Sequence, residues 1–257
     1  MQTWGILGGS GLDAWEALPW LDEVHVTTPY GDPSAALRVA RLESGSGGSI
    51  KVIYLPRHGA DHRFAPHRIN YRANLWALKQ AGVSRLLASA TVGSIDKNIV
   101  PGTICIPDQL IDYTWGREQT FSEDAAVLHS DFTQPFNAAL RLKLIHAAGE
   151  EIDPAALCVG GVYACTQGPR LETAAEIAKL ARDGCTVVGM TAMPEAALAR
   201  ELALPYALLC LAVNPAAGVA ESAQAIDHDR LKAVMDQGII KLKSILLATV
   251  QAPDPQG

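Results

Sequence analysis

The sequence has no long apolar run, no concentration of positive charge and few aromatic residues. Its longest apolar run, residues 206–213, is much shorter than the roughly 18 residues that a membrane helix needs. The formal net charge is -6, with acidic and basic residues interspersed, so we expect neither nucleic acid nor a membrane surface as a partner. The first residues carry neither the charged nor the apolar region of a signal peptide, and we expect a cytoplasmic protein.

The sequence also lacks cysteines and histidines at the spacings that are typical of metal ligands. The five cysteines, at positions 105, 158, 165, 185 and 210, include no CxxC pair, and the seven histidines form no HExxH pattern. Four cysteines lie in or beside apolar, strand-like runs, which favours reduced core thiols over a disulfide or a metal role. We therefore expect no metal site.

Short β-rich runs alternate with helical patterns along the 257 residues, a length that fits one α/β domain or two small ones. Several runs are apolar without alternation, as in strands buried on both faces. This order predicts an α/β fold with a central mixed β-sheet flanked by helices. The predicted strands are 3–7, 24–28, 37–41, 50–55, 85–90, 103–107, 157–165, 186–189 and 206–213. The predicted helices are 70–81, 135–148, 173–182, 194–202 and 227–250.

Several of the predicted strands end in short polar segments that could bind an anion. Ser10 lies in a Gly-Gly-Ser-Gly turn, Arg57 and His58 follow the fourth strand, and Thr91 begins a small, hydroxyl-rich turn after the fifth. Each segment alone also fits a plain turn or a structural side chain. Arginine is the natural bidentate partner of phosphate, and we expect His58 to donate a second hydrogen bond. Together with Thr191, these side chains predict one phosphate site at the carboxyl ends of the strands.

Two further segments carry groups that could read a polar ligand. Residues 168–172 (Gly-Pro-Arg-Leu-Glu) place Glu172 just before a Thr173–Glu176 capping box, which predicts a helix start. Asn214 ends an apolar strand, where an asparagine is often only a turn residue. Its amide can also pair a donor and an acceptor with the edge of a heterocycle.

These motifs resemble the trimeric purine nucleoside phosphorylase and methylthioadenosine phosphorylase family, most closely its methylthioinosine branch. The matching segments run in the family's order over almost the whole chain: 5–12 (GILGGSGL), 28–34 (TPYGDPS), 57–59 (RHG), 70–78 (NYRANLWAL) and 190–195 (MTAMPE).

The resemblance implies a single nucleoside phosphorylase domain over residues 1–257, a homotrimer, and no metal or organic cofactor. It implies phosphorolysis, in which inorganic phosphate is a co-substrate that attacks C1′ of a purine nucleoside. By resemblance, the phosphate-binding positions are Ser10, Arg57, His58, Ala90 (through its backbone), Thr91 and Thr191. Met190 matches a ribose contact, and His58 and Asn214 are the expected catalytic residues.

The residues at the base position favour a 6-oxopurine. Family members that act on adenosine-type nucleosides carry aspartate at the positions of Asn214 and Ala216, and the expected base-site segment here is Asn214, Pro215 and Ala216. Glu172 matches a carboxylate that accepts from N1–H of hypoxanthine or guanine. Adenine has no proton on N1 and would leave this carboxylate unpaired, at a cost of about 1–3 kcal/mol.

The 5′ side of the nucleoside leaves more than one interpretation open. His228 aligns with a position that is apolar in the methylthio branch and histidine in the branch that binds a 5′-hydroxyl, but it could equally be an exposed residue that opens the last helix. The main prediction is S-methyl-5′-thioinosine as substrate, with inosine and guanosine as the alternative. Methylthioadenosine phosphorolysis, hydrolysis by a nucleosidase and non-catalytic nucleoside binding are weaker alternatives.

Overall fold

Eleven strands form one mixed sheet in a computed structural model that describes residues 2–12, 15, 18–44, 47–122, 127–225 and 227–253. The strands are β1 (Thr3–Gly8), β2 (Trp20–Val24), β3 (Leu37–Glu43), β4 (Ser49–Pro56), β5 (Arg85–Ser94), β6 (Ile104–Ile106), β7 (Gln109–Asp112), β8 (Leu157–Val159), β9 (Val162–Cys165), β10 (Val187–Gly189) and β11 (Tyr206–Pro215). The helices are α1 (Tyr71–Gln80), α2 (Ala138–Glu151), α3 (Ala174–Arg182), α4 (Ala192–Glu201) and α5 (His228–Gln251).

Strand β5 is the branch point of the sheet. Its first part pairs in parallel with β1 on one side and with β11 on the other, and its last residues pair antiparallel with β10. Strand β4 runs parallel to β1. The carboxyl ends of β1, β4, β5 and β11 therefore meet at one edge, which is where α/β sheets bind ligands.

Helices cover both faces of the sheet, which confirms the predicted α/β architecture of a single domain. Leu75 of α1 and Leu198 of α4 belong to the apolar cluster on one face. Leu144 of α2 and Leu246 of α5 belong to the cluster on the other face, and α3 packs Ile177 against a smaller third cluster. In the described part of the chain, no helix has both the length and the apolar character that crossing a membrane requires.

Three strand predictions need correction. The strand predicted at 24–28 is instead β2 (Trp20–Val24), and Thr28 closes a turn by donating its hydroxyl to the carbonyl of Gly31. The strand predicted at 157–165 is interrupted at Gly160 and Gly161, whose φ angles of 92° and 98° are incompatible with a strand. The turn predicted after residue 90 is strand, because β5 continues to Ser94 by pairing with both β10 and β11.

Capping side chains mark four of the five helix starts in the described structure. The capping box of Thr173 and Glu176 is present at the start of α3, as predicted. Side chains of Asn70 and Asp227 cap α1 and α5. Helix α4 begins at Ala192, two residues before the predicted start, with Met193 in a non-helical conformation.

Candidate active site

A cavity of about 450 Å³ opens at the carboxyl edge of the sheet, at the point where the parallel strands end. It brings together most of the residues that the sequence singled out: Ser10, Arg57, His58, Ala90, Thr91, Glu172, Met190, Thr191, Asn214 and Ala216. Pro215 does not line this cavity and lines a small neighbouring one. The side chain of His228 lies outside the described part of the structure, although its backbone begins α5.

Small residues let the backbone approach closely at one end of the cavity. A Cβ atom on Gly8 would lie 2.2 Å from the Tyr54 hydroxyl oxygen, and one on Gly9 would lie 2.8 Å from the Ser89 carbonyl oxygen. The Gly9 N–H donates to the Ser89 hydroxyl at 3.1 Å, which fixes the turn that presents Ser10 to the cavity. The glycines are therefore a steric requirement of the turn after β1.

Arg57 is completely buried beneath this end of the cavity and is paired with a carboxylate. Its Nε and Nη2 donate to the two oxygens of Glu195, and the Nη2–Oε2 distance is 2.9 Å. Nη1 donates to the Ser89 carbonyl at 2.8 Å, and the Tyr206 hydroxyl donates to Glu195 at 3.0 Å. Burial alone would lower the pKa of Arg57, but the attraction of Glu195 outweighs it and the net shift is upward. Since a guanidinium has five N–H donors, two remain for an anion.

His58 is neutral and held in one tautomer. Its Nδ1 lies 2.8 Å from the Phe64 carbonyl oxygen, and a carbonyl can only accept, so Nδ1 carries the proton. Burial, followed by the nearby charge of Arg57, lowers the pKa of His58 to about 4. The neutral ring presents Nε2 as a hydrogen-bond acceptor, whereas we expected His58 to be a donor. The sequence could not reveal this because the Phe64 carbonyl reaches His58 only through the fold of the following loop.

The other end of the cavity holds Glu172 and Asn214. Oε1 of Glu172 accepts a 2.6 Å hydrogen bond from the Thr166 hydroxyl. Asn214 follows a bulge in β11, and its Nδ2 donates to the Pro215 carbonyl at 2.6 Å. One amide N–H and Oδ1 of Asn214 therefore remain available to a ligand. Pro215 thus orients Asn214 through its backbone and does not itself face the cavity.

Apolar side chains line the wall between β11 and α5. Val213 and Leu231 border the cavity there, and neither was singled out from the sequence. Leu231 lies three residues after His228 in the sequence, in the first turn of α5. That spacing was a signal that could have identified Leu231.

Arg117 joins the segment that carries Glu172 to the segment that carries Met190 and Thr191. Its Nη1 donates to the carbonyls of Met190 at 2.8 Å and Met193 at 2.6 Å, and its Nη2 donates to those of Thr166 at 3.2 Å and Gln167 at 2.8 Å. Nothing in the local sequence marks Arg117, because its partners lie about 50 and 70 residues away. It does not line the cavity and acts on it through the backbone.

Among the described residues, no group of three histidine, cysteine, aspartate or glutamate side chains could hold a metal ion. All five cysteines are free thiols, and four of them are buried. The polar groups of the cavity are instead hydrogen-bond donors and acceptors arranged at two ends.

Residues 3–251 match the family model described as the phosphorylase superfamily. The chain belongs to this superfamily. A "Probable S-methyl-5'-thioinosine phosphorylase" of Pseudomonas syringae pv. tomato is 46% identical over 98% of this chain and 100% of its own length. A "Probable 6-oxopurine nucleoside phosphorylase" of Dictyoglomus turgidum is 42% identical over 95% of this chain and 89% of its own length.

A solved structure has the same fold as this phosphorylase-superfamily chain. Methylthioadenosine phosphorylase from Schistosoma mansoni, in complex with adenine, aligns with a TM-score of 0.88 and 33% identity, covering 97% of this chain and 91% of that one. The branched sheet described above is thus the sheet of a nucleoside phosphorylase.

Proposed function

We propose that this protein is a pentosyltransferase that cleaves S-methyl-5′-thioinosine with inorganic phosphate, giving hypoxanthine and 5-methylthioribose 1-phosphate. The observation that carries the proposal is that one cavity gathers the candidate phosphate-binding residues and the candidate base-binding residues. Arg57, His58 and the hydroxyls of Ser10, Thr91 and Thr191 line this cavity and would form the phosphate-binding end. Glu172 and Asn214 would form the base-binding end, and Met190 lines the same cavity. The names of the relatives at 46% and 42% identity support the same reaction class.

Phosphate would bind where Arg57 keeps two N–H donors free. Glu195 already balances the charge of Arg57, so this pair has no net charge. The anion would therefore be held by hydrogen bonds from Arg57 and the hydroxyls. The unprotonated Nε2 of His58 would accept the P–OH proton of hydrogen phosphate. No metal or organic cofactor is needed, because the phosphate is itself the nucleophile.

The bond changes follow from these positions. A phosphate oxygen forms a bond to C1′ while the C1′–N9 bond breaks and its electron pair moves into the purine. Positive charge that develops on the sugar is stabilised by the bound phosphate. The purine leaves as a neutral base when N7 takes up a proton from solvent, and the P–OH proton of hydrogen phosphate passes to solvent by way of His58, so the number of protons is unchanged. Oδ1 of Asn214 would accept from N7–H while its free N–H donates to O6.

The base-site residues favour a 6-oxopurine over the adenine held by the Schistosoma mansoni enzyme. Glu172 has one carboxylate oxygen available for N1–H, a donor that adenine lacks. Asn214 can donate an N–H to O6. Because residue 216 is alanine, it offers no carboxylate to a 6-amino group. Leaving a buried polar group without a hydrogen-bond partner costs about 1–3 kcal/mol, which is enough to favour a 6-oxopurine over adenine.

The 5′ group is proposed to be methylthio because Val213 and Leu231 line the cavity with hydrocarbon. Inosine and guanosine are the second candidates, supported by the relatives named as 6-oxopurine nucleoside phosphorylases. A hydrophobic pocket discriminates small changes by roughly 10–200-fold. Both candidates therefore need to be measured side by side.

The test is a panel of S-methyl-5′-thioinosine, inosine, guanosine, adenosine and methylthioadenosine, each with and without phosphate, with base release followed by chromatography. We expect the highest kcat/KM for S-methyl-5′-thioinosine and no release without phosphate. Rapid cleavage of adenosine would contradict the base assignment. Release in the absence of phosphate would instead identify a hydrolase.

We also propose a cytoplasmic homotrimer, on the resemblance to the trimeric family. The exposed apolar side chains of Trp115 and Leu171, next to the segment that carries Glu172, support coverage by a neighbouring subunit. Sedimentation velocity should give the mass of three chains, and a monomer with full activity would contradict this assembly.

A further inference from the structure

Glu172, on which the proposed base specificity depends, lies on a segment without regular secondary structure between β9 and α3. A glutamate side chain has three rotatable bonds and loses affinity for a ligand when it must be ordered on binding. A carboxylate that recognises a single N–H therefore needs a hydrogen-bond partner that orders its side chain before the ligand binds. Within the described residues, Thr166 is the only hydrogen-bond partner of this carboxylate.

Thr166 is itself fixed by the sheet. It directly follows β9, and its N–H donates to the Gly189 carbonyl at 2.8 Å, which extends the pairing of β9 with β10. Its carbonyl accepts from Arg117 at 3.2 Å. The β-branched side chain has few rotamers, so the hydroxyl has a defined direction.

The Thr166 hydroxyl has one proton and two candidate acceptors. Oε1 of Glu172 lies at 2.6 Å and the Gly189 carbonyl oxygen at 3.3 Å. A hydroxyl bound to a carboxylate is the shorter and stronger kind of hydrogen bond, so the proton belongs to Glu172. This bond occupies Oε1 and leaves Oε2 for a ligand.

We propose that Thr166 is a positioning residue that determines specificity for 6-oxopurines by aiming Oε2 of Glu172 at N1–H of the base. This inference rests on the proposed function and adds to it the group that orders the base-reading carboxylate. Because a 6-aminopurine has no proton on N1, the contribution of Thr166 is confined to bases that have one. Phosphate, at the opposite end of the cavity, is bound independently of Thr166.

Two substitutions of Thr166 separate its hydroxyl from its shape. Thr166→Val keeps the branched shape and removes only the hydroxyl, whereas Thr166→Ser keeps the hydroxyl and is the matched control. We expect kcat/KM for S-methyl-5′-thioinosine and affinity for free hypoxanthine to fall roughly tenfold in Thr166→Val, as for loss of a hydrogen bond to a charged group. The KM for phosphate and the inhibition constant of adenine should not change, and Thr166→Ser should stay within about twofold of wild type.

A double-mutant cycle with Glu172→Gln tests whether Thr166 acts through Glu172. We expect Thr166→Val to cost nothing further once Glu172 is replaced. A Thr166→Val variant that binds hypoxanthine like wild type, while Glu172→Gln does not, would overturn the role of Thr166 and leave the proposed function intact. Unchanged 6-oxopurine turnover in Glu172→Gln would overturn the base assignment itself. Equal losses for hypoxanthine, adenine and phosphate, with a lowered melting temperature, would identify Thr166 as merely structural.

Discussion

Arg57 illustrates how a single residue can be recognised in the sequence while its environment cannot. Its position after β4 predicted an anion contact, but its ion pair with Glu195 joins residues 138 positions apart. Both side chains are fully buried. Taking two charges out of water is costly, and a buried pair is stable only when each partner is present and hydrogen-bonded.

Replacing Glu195 with glutamine should therefore destabilise the protein. The variant leaves the Arg57 charge buried without a counter-charge, and we expect the free energy of unfolding to fall by about 3–5 kcal/mol. Urea titration measures this change. Glu118→Gln is the control, because the Glu118–Arg72 pair is largely exposed on the Glu118 side and should contribute less than about 1 kcal/mol. Similar small losses in the two variants would refute the structural role of Glu195.

Asn214 gives a second residue-scale prediction, on base choice. In Asn214→Asp the side chain loses the N–H that we propose donates to O6, and it gains a carboxylate that can accept from a 6-amino group. We expect 6-oxopurine activity to fall by tenfold or more, with some gain toward 6-aminopurine nucleosides, measured as kcat/KM on both. Asn214→Ala should lose activity on both classes. Our assignment of the base site would be wrong if Asn214→Asp kept full activity on 6-oxopurines.

At the scale of elements, the site depends on how loops are attached to the sheet. The segment after β9 carries Glu172 and the segment after β10 carries Met190 and Thr191. Arg117 donates hydrogen bonds to carbonyls of both segments, and so holds the two segments at a fixed separation. Small errors in such positions reduce catalysis because reacting groups must meet in a narrow range of geometries.

Removing the Arg117 guanidinium should loosen this connection. We expect Arg117→Ala to lower kcat/KM for the nucleoside by about 10–100-fold, since several backbone acceptors lose their donors together. Millimolar guanidinium added to Arg117→Ala should restore part of the activity, measured by steady-state kinetics. Arg117→Lys, which supplies a single point charge, should remain impaired. Full activity in Arg117→Ala would show that the two segments hold their positions without it.

At the scale of the whole molecule, the buried neutral His58 links function to stability. The pKa of His58 falls to about 4 on folding, from an ordinary value near 6.5. Between these values the unfolded chain binds more protons than the folded one, so stability decreases as the pH falls from about 6.5 toward 4.

We expect this histidine alone to lower the free energy of unfolding by up to about 2 kcal/mol between pH 7 and pH 5. His58→Asn should show a shallower decline, measured by urea titration at several pH values. His25→Asn, at an exposed position, is the matched control and should follow wild type. A His58→Asn curve parallel to wild type would exclude His58 as the cause.

Local patterns in the sequence determined much of this protein. Apolar runs specified most strands, the Thr173–Glu176 box specified the start of α3, and polar residues at strand ends specified which side chains would meet in the cavity. These features depend on short-range backbone preferences and on the rule that parallel strands end at one edge. The resemblance carried by the same motifs supplied the reaction.

Tertiary structure alone decided how the assembled groups are charged, oriented and supported. The Glu195 partner of Arg57, the tautomer of His58 and the Arg117 connection all depend on contacts between segments far apart in the chain. Even the nearby Thr166–Glu172 bond required a turn whose course no local pattern fixed. Burial and pairing depend on which surfaces the sheet topology brings together, and local propensity does not encode that arrangement.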